Sequence, residues 1–310
     1  MTLMLSINAR FFNFFLKYII KPLQAYMPIT PGVMIFFRRL CEAGSRLVFK
    51  YPSHVSTQVV SARGVPGEWV LSGDDINQEQ VILYLHGGGY FFGSPRTHCP
   101  LTWRLSEKTK TRVLIIDYRL VPEHTVDDCC DDAVNAYHWL LDEGYQPENI
   151  VIGGDSAGGG LTLLTLLALK NREIPLPRAA FCLSPFSDMS RTSPTLISNA
   201  RKSHMFHPNA MKKMEAYLSA GRDPYDTAIS PAFGDYKGIP PLLIMVSDAE
   251  LLLNDARLIA RNAEEAGVEV ELKIWHNLQH VFTLFADILP EGKQGIEEIA
   301  FFVNNRLVSV

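Results

Sequence analysis

From residue 81 onward the chain alternates between two hydrophobic patterns. Unbroken apolar runs at 81–85, 113–116, 150–152, 179–183 and 242–246, and a run alternating with charged residues at 268–275, are separated by longer, mixed segments. A run without polar alternation is what a strand buried on both faces requires. The segments 127–141, 161–170 and 255–266 read as helices between them. Acidic residues open the first, favourable at a helix N-terminus, and Gly267 stops the third. Two further β-like runs, 55–61 and 68–71, read as short antiparallel strands, which brings the count to eight. Strands alternating with helices predict an α/β fold with a mostly parallel eight-stranded sheet flanked by helices.

The two ends of this pattern are different. Leu3, Ile7, Phe11, Phe14, Phe15 and Tyr18 recur at helical spacing and predict an amphipathic helix with a wide apolar face. Asn8, Arg10, Asn13 and Lys17 interrupt it, so no membrane-spanning window of about eighteen clean apolar residues forms. It also lacks the basic start and small-residue cleavage site of a signal peptide. Its apolar face is expected to pack on the protein's own body; the aromatic load and Arg/Lys rim would also suit a membrane surface. A second helix is expected from Thr30, as cap, and Pro31 at its first position. The interval 190–226 holds no strand run, only a helix-like piece at 209–218. The expected organisation is therefore cap helices in 1–50, a core in 51–189 and 227–310, and a cap insertion in 190–226.

Composition narrows the function. Of 310 residues 47% are hydrophobic and 20% charged, which supports a large core and excludes disorder. A net charge of -4 with no basic run offers no footprint for nucleic acid. The five cysteines, Cys41, Cys99, Cys129, Cys130 and Cys182, form no C-x-x-C pair. Zinc and dithiol chemistry are thus not expected, and free thiols in the cytoplasm are.

Two strings carry chemistry. Gly154-Asp155-Ser156-Ala157-Gly158 follows one buried run and opens a helix. In that setting G-x-S-x-G is a tight strand-to-helix turn that lifts a serine oxygen above the sheet. The alternative is a plain Gly-rich turn or a phosphate loop, but the Lys-Ser/Thr ending of a phosphate loop is missing. His86-Gly87-Gly88-Gly89 sits at the C-terminal end of another buried run, where α/β ligand sites form. Bare amides there, with the amide of Ala157, suit the oxyanion of an acyl-transfer intermediate, one such donor contributing about 3 kcal/mol.

These two strings, with Asp117-Tyr118-Arg119-Leu120-Val121-Pro122-Glu123-His124 and the segment 240–282, resemble the hormone-sensitive-lipase-like family of α/β-hydrolase esterases. The resemblance implies an α/β-hydrolase core under a helical cap, and hydrolysis of carboxylic esters of small to medium acyl chains with no metal or cofactor. It implies Ser156 as nucleophile, Gly88, Gly89 and Ala157 as oxyanion donors, and His86 as a residue orienting its loop. The chain departs from the family where Thr125-Val126-Asp127 replaces a frequent Pro-Phe-Pro.

A serine needs a base, and the base needs an acid. His280, in the loop after the last strand and before a helix-like stretch at 281–289, fits the Ser–acid–His order of this fold, with His276 as rival. The remaining histidines are expected to be structural or on the surface. For the acid, the family-like frame Glu250-Leu251-Leu252-Leu253-Asn254-Asp255 favours Glu250 over Asp248; Asp155 and Asp188 read as structural. Phe11, Phe12, Phe14, Phe15, Phe36, Phe37, Met205 and Phe206 would line an acyl pocket or pack as core. A small-molecule ester is the expected partner, and a homodimer through an exposed last strand is a further expectation. An amidase, thioesterase or deacetylase on the same triad, or a binding protein on the same scaffold, remain the alternatives.

Overall fold

Eight strands form among residues 5–307, which the computed structural model describes: β1 (Val55–Ala62), β2 (Val65–Ser72), β3 (Asn77–Leu85), β4 (Thr111–Ile116), β5 (Ile150–Asp155), β6 (Ala179–Leu183), β7 (Leu242–Ser247) and β8 (Val270–Trp275). They make one sheet in the order β1-β2-β4-β3-β5-β6-β7-β8. β2 runs antiparallel to both β1 and β4, and every other pairing is parallel. The apolar runs alternate sides, as the period of two demands. Leu83, Leu85, Leu114, Ile116 and Ile152 join the core on one face; Ile82, Tyr84, Val113, Ile115 and Val151 join the core on the other.

Among the described residues ten α-helical stretches accompany the sheet. The helix α1 (Ile7–Phe15) continues through a π-turn at Leu16–Ile20 into α2 (Lys21–Tyr26), and α3 (Pro31–Val48) follows. Then come α4 (Pro95–Thr109), α5 (Val126–Asp142), α6 (Ala157–Asn171), the short α7 (Thr195–Ser198), α8 (Pro208–Leu218), α9 (Leu253–Glu265) and α10 (Pro290–Arg306). α5, α6 and α9 bury Ala133, Leu161 and Ile259 in the first core, while α4 and α10 bury Leu105 and Ile299 in the second. This is the α/β-hydrolase architecture, and it gathers the C-terminal ends of β3, β5, β6, β7 and β8 along one edge.

Several boundaries differ from the expectation. β1 and β2 are not short: they pair from Val55↔Ser72 to Ala62↔Val65. β1, expected at 55–61, runs one residue further, whereas β2, expected at 68–71, begins three residues earlier, at Val65, where Pro66 and Gly67 read as a turn. α4 was not anticipated, because Pro100 lies inside it and looks like a break. The segment 281–289 is not a helix but a 3-10 turn (Phe282–Phe285), and the real helix is α10. Thr30 stands at the cap of α3 with Pro31 first, yet its hydroxyl makes no capping bond. Thr125, at the departure from the family pattern, forms a reciprocal capping box with Asp128 at the start of α5. Leu3, placed on the first amphipathic face, lies outside the described residues.

Candidate active site

The turn from β5 to α6 holds Ser156 at φ 54°, ψ -119°, a conformation L-residues rarely adopt. The backbone pins it there. Ser156 N–H donates to Leu183 O (2.8 Å), and Ser156 O accepts from Gly160 N–H (3.0 Å) and Phe186 N–H (2.9 Å). Gly158 is obligatory: a Cβ on it would stand 2.0 Å from Leu85 O. The turn is sharp because β3 approaches α6 closely.

The loop after β3 is equally constrained. Gly88 and Gly89 have φ of 122° and 61°, and a Cβ on Gly88 would lie 1.9 Å from Phe92 O. Among the described residues, the amides of Gly88, Gly89 and Ala157 donate to no protein acceptor. The loop is tied to the serine turn by Asp155, which accepts from Gly87 N–H (3.1 Å) and the Tyr84 hydroxyl (2.7 Å). His98 Nε2 lies 3.3 Å from the same carboxylate. Burial pushes the Asp155 carboxyl up, but His98 and Tyr84 outweigh it and hold the group below its usual range. His86 stacks on Tyr118 with ring centroids 4.3 Å apart, and the Tyr118 hydroxyl donates to His86 O (2.6 Å). Burial, then neighbouring His98, pushes the His86 imidazole down to about 3. At neutral pH it is an uncharged packing group.

The next two strand ends bring acid and imidazole together. His280 Nδ1 is 2.5 Å from Glu250 Oε2. Glu250 Oε1 accepts from the Ser184 hydroxyl (2.8 Å) and from Ser247 N–H (2.8 Å). Both carboxylate oxygens are therefore engaged. Ser184 directly follows Leu183, the residue that accepts from Ser156 N–H, so one short stretch after β6 touches both halves of the site. The Nε2 atom of His280 is buried and has no protein partner. The ring of Phe206 packs on that imidazole edge-on, centroids 4.8 Å apart. Asp248 is engaged elsewhere: it binds His276 Nδ1 (2.8 Å) and accepts from Asn277 N–H (2.7 Å). Of the other histidines, His98 and His204 are buried and bonded to neighbouring groups, while His54 and His124 are exposed.

The N-terminal helices and the segment 190–226 meet over this edge. Lys21 Nζ donates to Ala200 O and Ser203 O, both 2.7 Å, and Lys213 Nζ reaches Ala25 O and Met27 O. Asn13 Nδ2 donates to Asn277 O, in the loop that carries His280. Arg38 pairs with Glu123 and donates to Phe91 O, next to the glycine loop. The expected aromatic lining divides. Phe206 reaches His280, Phe37 packs on Phe91 and Phe92, and Phe12 packs on Phe285. Phe11, Phe14, Phe15 and Phe36 instead face solvent, neither lining a pocket nor filling a core. Within α8, Glu215 is buried near Asp188, with one carboxylate oxygen unpartnered. Asp255, also buried, accepts from the amides of Ser187 and Asp188.

No sequence pattern points to Ser184 or Ser247; His98, expected to be structural or on the surface, and Asp155, expected to be structural, together tie the glycine loop to the serine turn. Asp155 had a signal, since it adjoins the serine; the two hydroxyl residues are anonymous until the strand ends are aligned.

Comparison with known proteins agrees with this architecture. A family model described as alpha/beta hydrolase fold matches residues 82–284. An acetyl-hydrolase of Streptomyces hygroscopicus is 36% identical over 79% of this chain and 81% of its own length. The carboxylesterase/phospholipase LipF of Mycobacterium tuberculosis is 32% identical over 92% of this chain and 78% of its own. A crystal structure of an esterase from the bacterial hormone-sensitive lipase family superposes with a TM-score of 0.89 at 37% identity, covering 98% of this chain and 99% of the other. Fold and serine turn define an α/β-hydrolase. The chain belongs, within that class, to the hormone-sensitive-lipase-like family of esterases.

Proposed function

We propose that this serine ester hydrolase works through an acyl-enzyme on Ser156, with His280 as base and Glu250 as the acid that orients it. The observation that carries this reading is the buried Glu250–His280 pair, whose Nδ1 is bound and whose Nε2 is left without a protein partner. A neutral imidazole held by its Nδ1–H presents a lone pair at Nε2 to the serine hydroxyl. His280 takes the Ser156 proton as Oγ attacks the ester carbonyl. The amides of Gly88, Gly89 and Ala157 receive the oxyanion, helped by the N-terminus of α6. The imidazolium, stabilised by Glu250, then protonates the leaving alcohol, and water repeats the sequence to release the acid. His86 holds its loop in place by stacking.

The helices of 1–50 and the segment 190–226 act as the cap over a small to medium acyl group. The Lys21 and Lys213 bonds between these two segments and the Phe206 ring on His280 support that division. β8 ends the sheet with one free edge, which supports a homodimer formed there. Five cysteines without disulfides support a reducing compartment such as the cytoplasm; among the described residues no helix is long and apolar enough to cross a membrane. The test is Ser156→Ala on a series of nitrophenyl esters. Loss of at least about ten-thousandfold in kcat/KM is expected, with an unchanged far-ultraviolet spectrum. Retained turnover would overturn the assignment, and a maximum at long acyl chains would overturn the substrate class.

A further inference from the structure

We propose that the outward face of the first helix docks on an anionic lipid surface. Between Ile7 and Tyr26 the inward positions are Ala9, Asn13, Leu16 and Lys21, all buried. The opposite positions are Ile7, Phe11, Phe14, Tyr18, Leu23 and Tyr26, at three- and four-residue spacing apart from one five-residue step, Tyr18 to Leu23, at the wider π-turn. They are far out of the protein: Phe11 is 74% exposed and Tyr26 88%. A scattered exposed apolar residue needs no explanation, but a continuous stripe of large ones does. α3 repeats the pattern, with Phe36, Leu40 and Leu47 exposed among Arg39 and Arg46.

Charge identifies the occupant. The first 50 residues hold seven Lys and Arg against one acidic residue, Glu42, whereas the whole chain carries -4. Lys21 is buried and Arg38 pairs with Glu123, so the rim consists of Arg10, Arg39, Arg46 and Lys50, all exposed, with half-buried Lys17, on an otherwise acidic body. A symmetric contact with a second copy would set this cationic rim against itself. An anionic bilayer offers both complements at once: acyl chains for the stripe and headgroup charge for the rim. Phe and Tyr suit that interface, apolar over most of the ring and, for Tyr, polar at the tip. The helix lies on the surface and does not span it, because no described helix is long and apolar enough.

The docking face is built into the cap. Asn13 and Lys21, on the reverse of the same helix, bond to Asn277 and to Ala200 and Ser203, beside His280 and Phe206. Docking would therefore hold the cap, and the edge of the sheet that it covers, against the lipid.

The experiment is sedimentation with sucrose-loaded vesicles of phosphatidylcholine alone and of phosphatidylcholine with phosphatidylglycerol in equal parts. The wild type should partition onto the second and much less onto the first, and high salt should weaken it. The variant Phe11→Ser/Phe14→Ser/Tyr18→Ser should lose at least about tenfold in partition. Its hydrolysis of a water-soluble nitrophenyl ester should stay unchanged, which shows the fold and cap intact. Binding is read without turnover, so its failure is separable from failure of the esterase reading. No wild-type binding to anionic vesicles, or equal binding by the variant, would overturn the proposal. So would a wild-type dimer in light scattering that the variant abolishes, which would make the face a contact between copies.

Discussion

Two carboxylate–imidazole pairs lie side by side on the same two loops. Glu250 binds His280 and Asp248 binds His276, through Nδ1 in both cases, at 2.5 and 2.8 Å. In the first pair the side chains are 6% and 4% exposed; in the second, 59% and 39%. Proximity alone does not separate them. Surroundings do: Ser184 and Ser247 hold the Glu250 carboxylate and Phe206 covers the His280 ring, whereas His276 is open to solvent. An exposed pair in high dielectric contributes little beyond local order. A buried, fully engaged carboxylate fixes the imidazole's tautomer and supports its charge when it forms.

The largest way to break this contrast is Glu250→Gln. It keeps the shape but removes the acceptor charge, and kcat should fall by about a thousandfold or more, with KM little changed. Ser184→Ala removes one hydrogen bond to that carboxylate, and kcat should fall roughly tenfold. A loss as large as that of Glu250→Gln would mean that Ser184 does more than position the acid. Asp248→Asn should cost less than about threefold. Rates of the three variants on one soluble ester rank these effects directly, and a reversed order of Glu250 and Asp248 would exchange their roles.

The smallest expected effect falls on stability. Burial, then Asp188, pushes the Glu215 carboxyl up to about 8, from 4.5 in an unfolded chain. The folded protein therefore binds one more proton than the unfolded chain between those values, and stability falls as pH rises through that window. Glu215→Gln, which carries no charge at any pH, should melt above the wild type at pH 8 and close to it at pH 4.5. Equal melting shifts at the two pH values would show that packing, rather than ionisation, governs this site.

Much of the fold was legible because its central strands are buried on both faces, and burial leaves unbroken apolar runs. α4 and α10 escaped because each carries residues that read as breaks: α4 contains Pro100, and α10 has Gly292 and Gly295 in its first two turns, which look like loop punctuation. Gly295 is in fact a packing residue: a Cβ there would stand 2.7 Å from Thr283. The serine turn and glycine loop were readable because backbone constraint writes itself as glycine. The choice between Glu250 and Asp248 rested on the spacing of a family frame. What surrounds each carboxylate, and the outward turn of Phe11, Phe14 and Phe36, depend on strand register and helix rotation, which no local string records.

The most direct measurement is the rate of covalent labelling by a fluorophosphonate, located by peptide mass spectrometry. A single adduct is expected on the peptide carrying Ser156, formed about a thousandfold more slowly in Glu250→Gln and at nearly the wild-type rate in Asp248→Asn. An adduct at another residue, or equal slowing in the two variants, would contradict the roles proposed for Ser156 and Glu250.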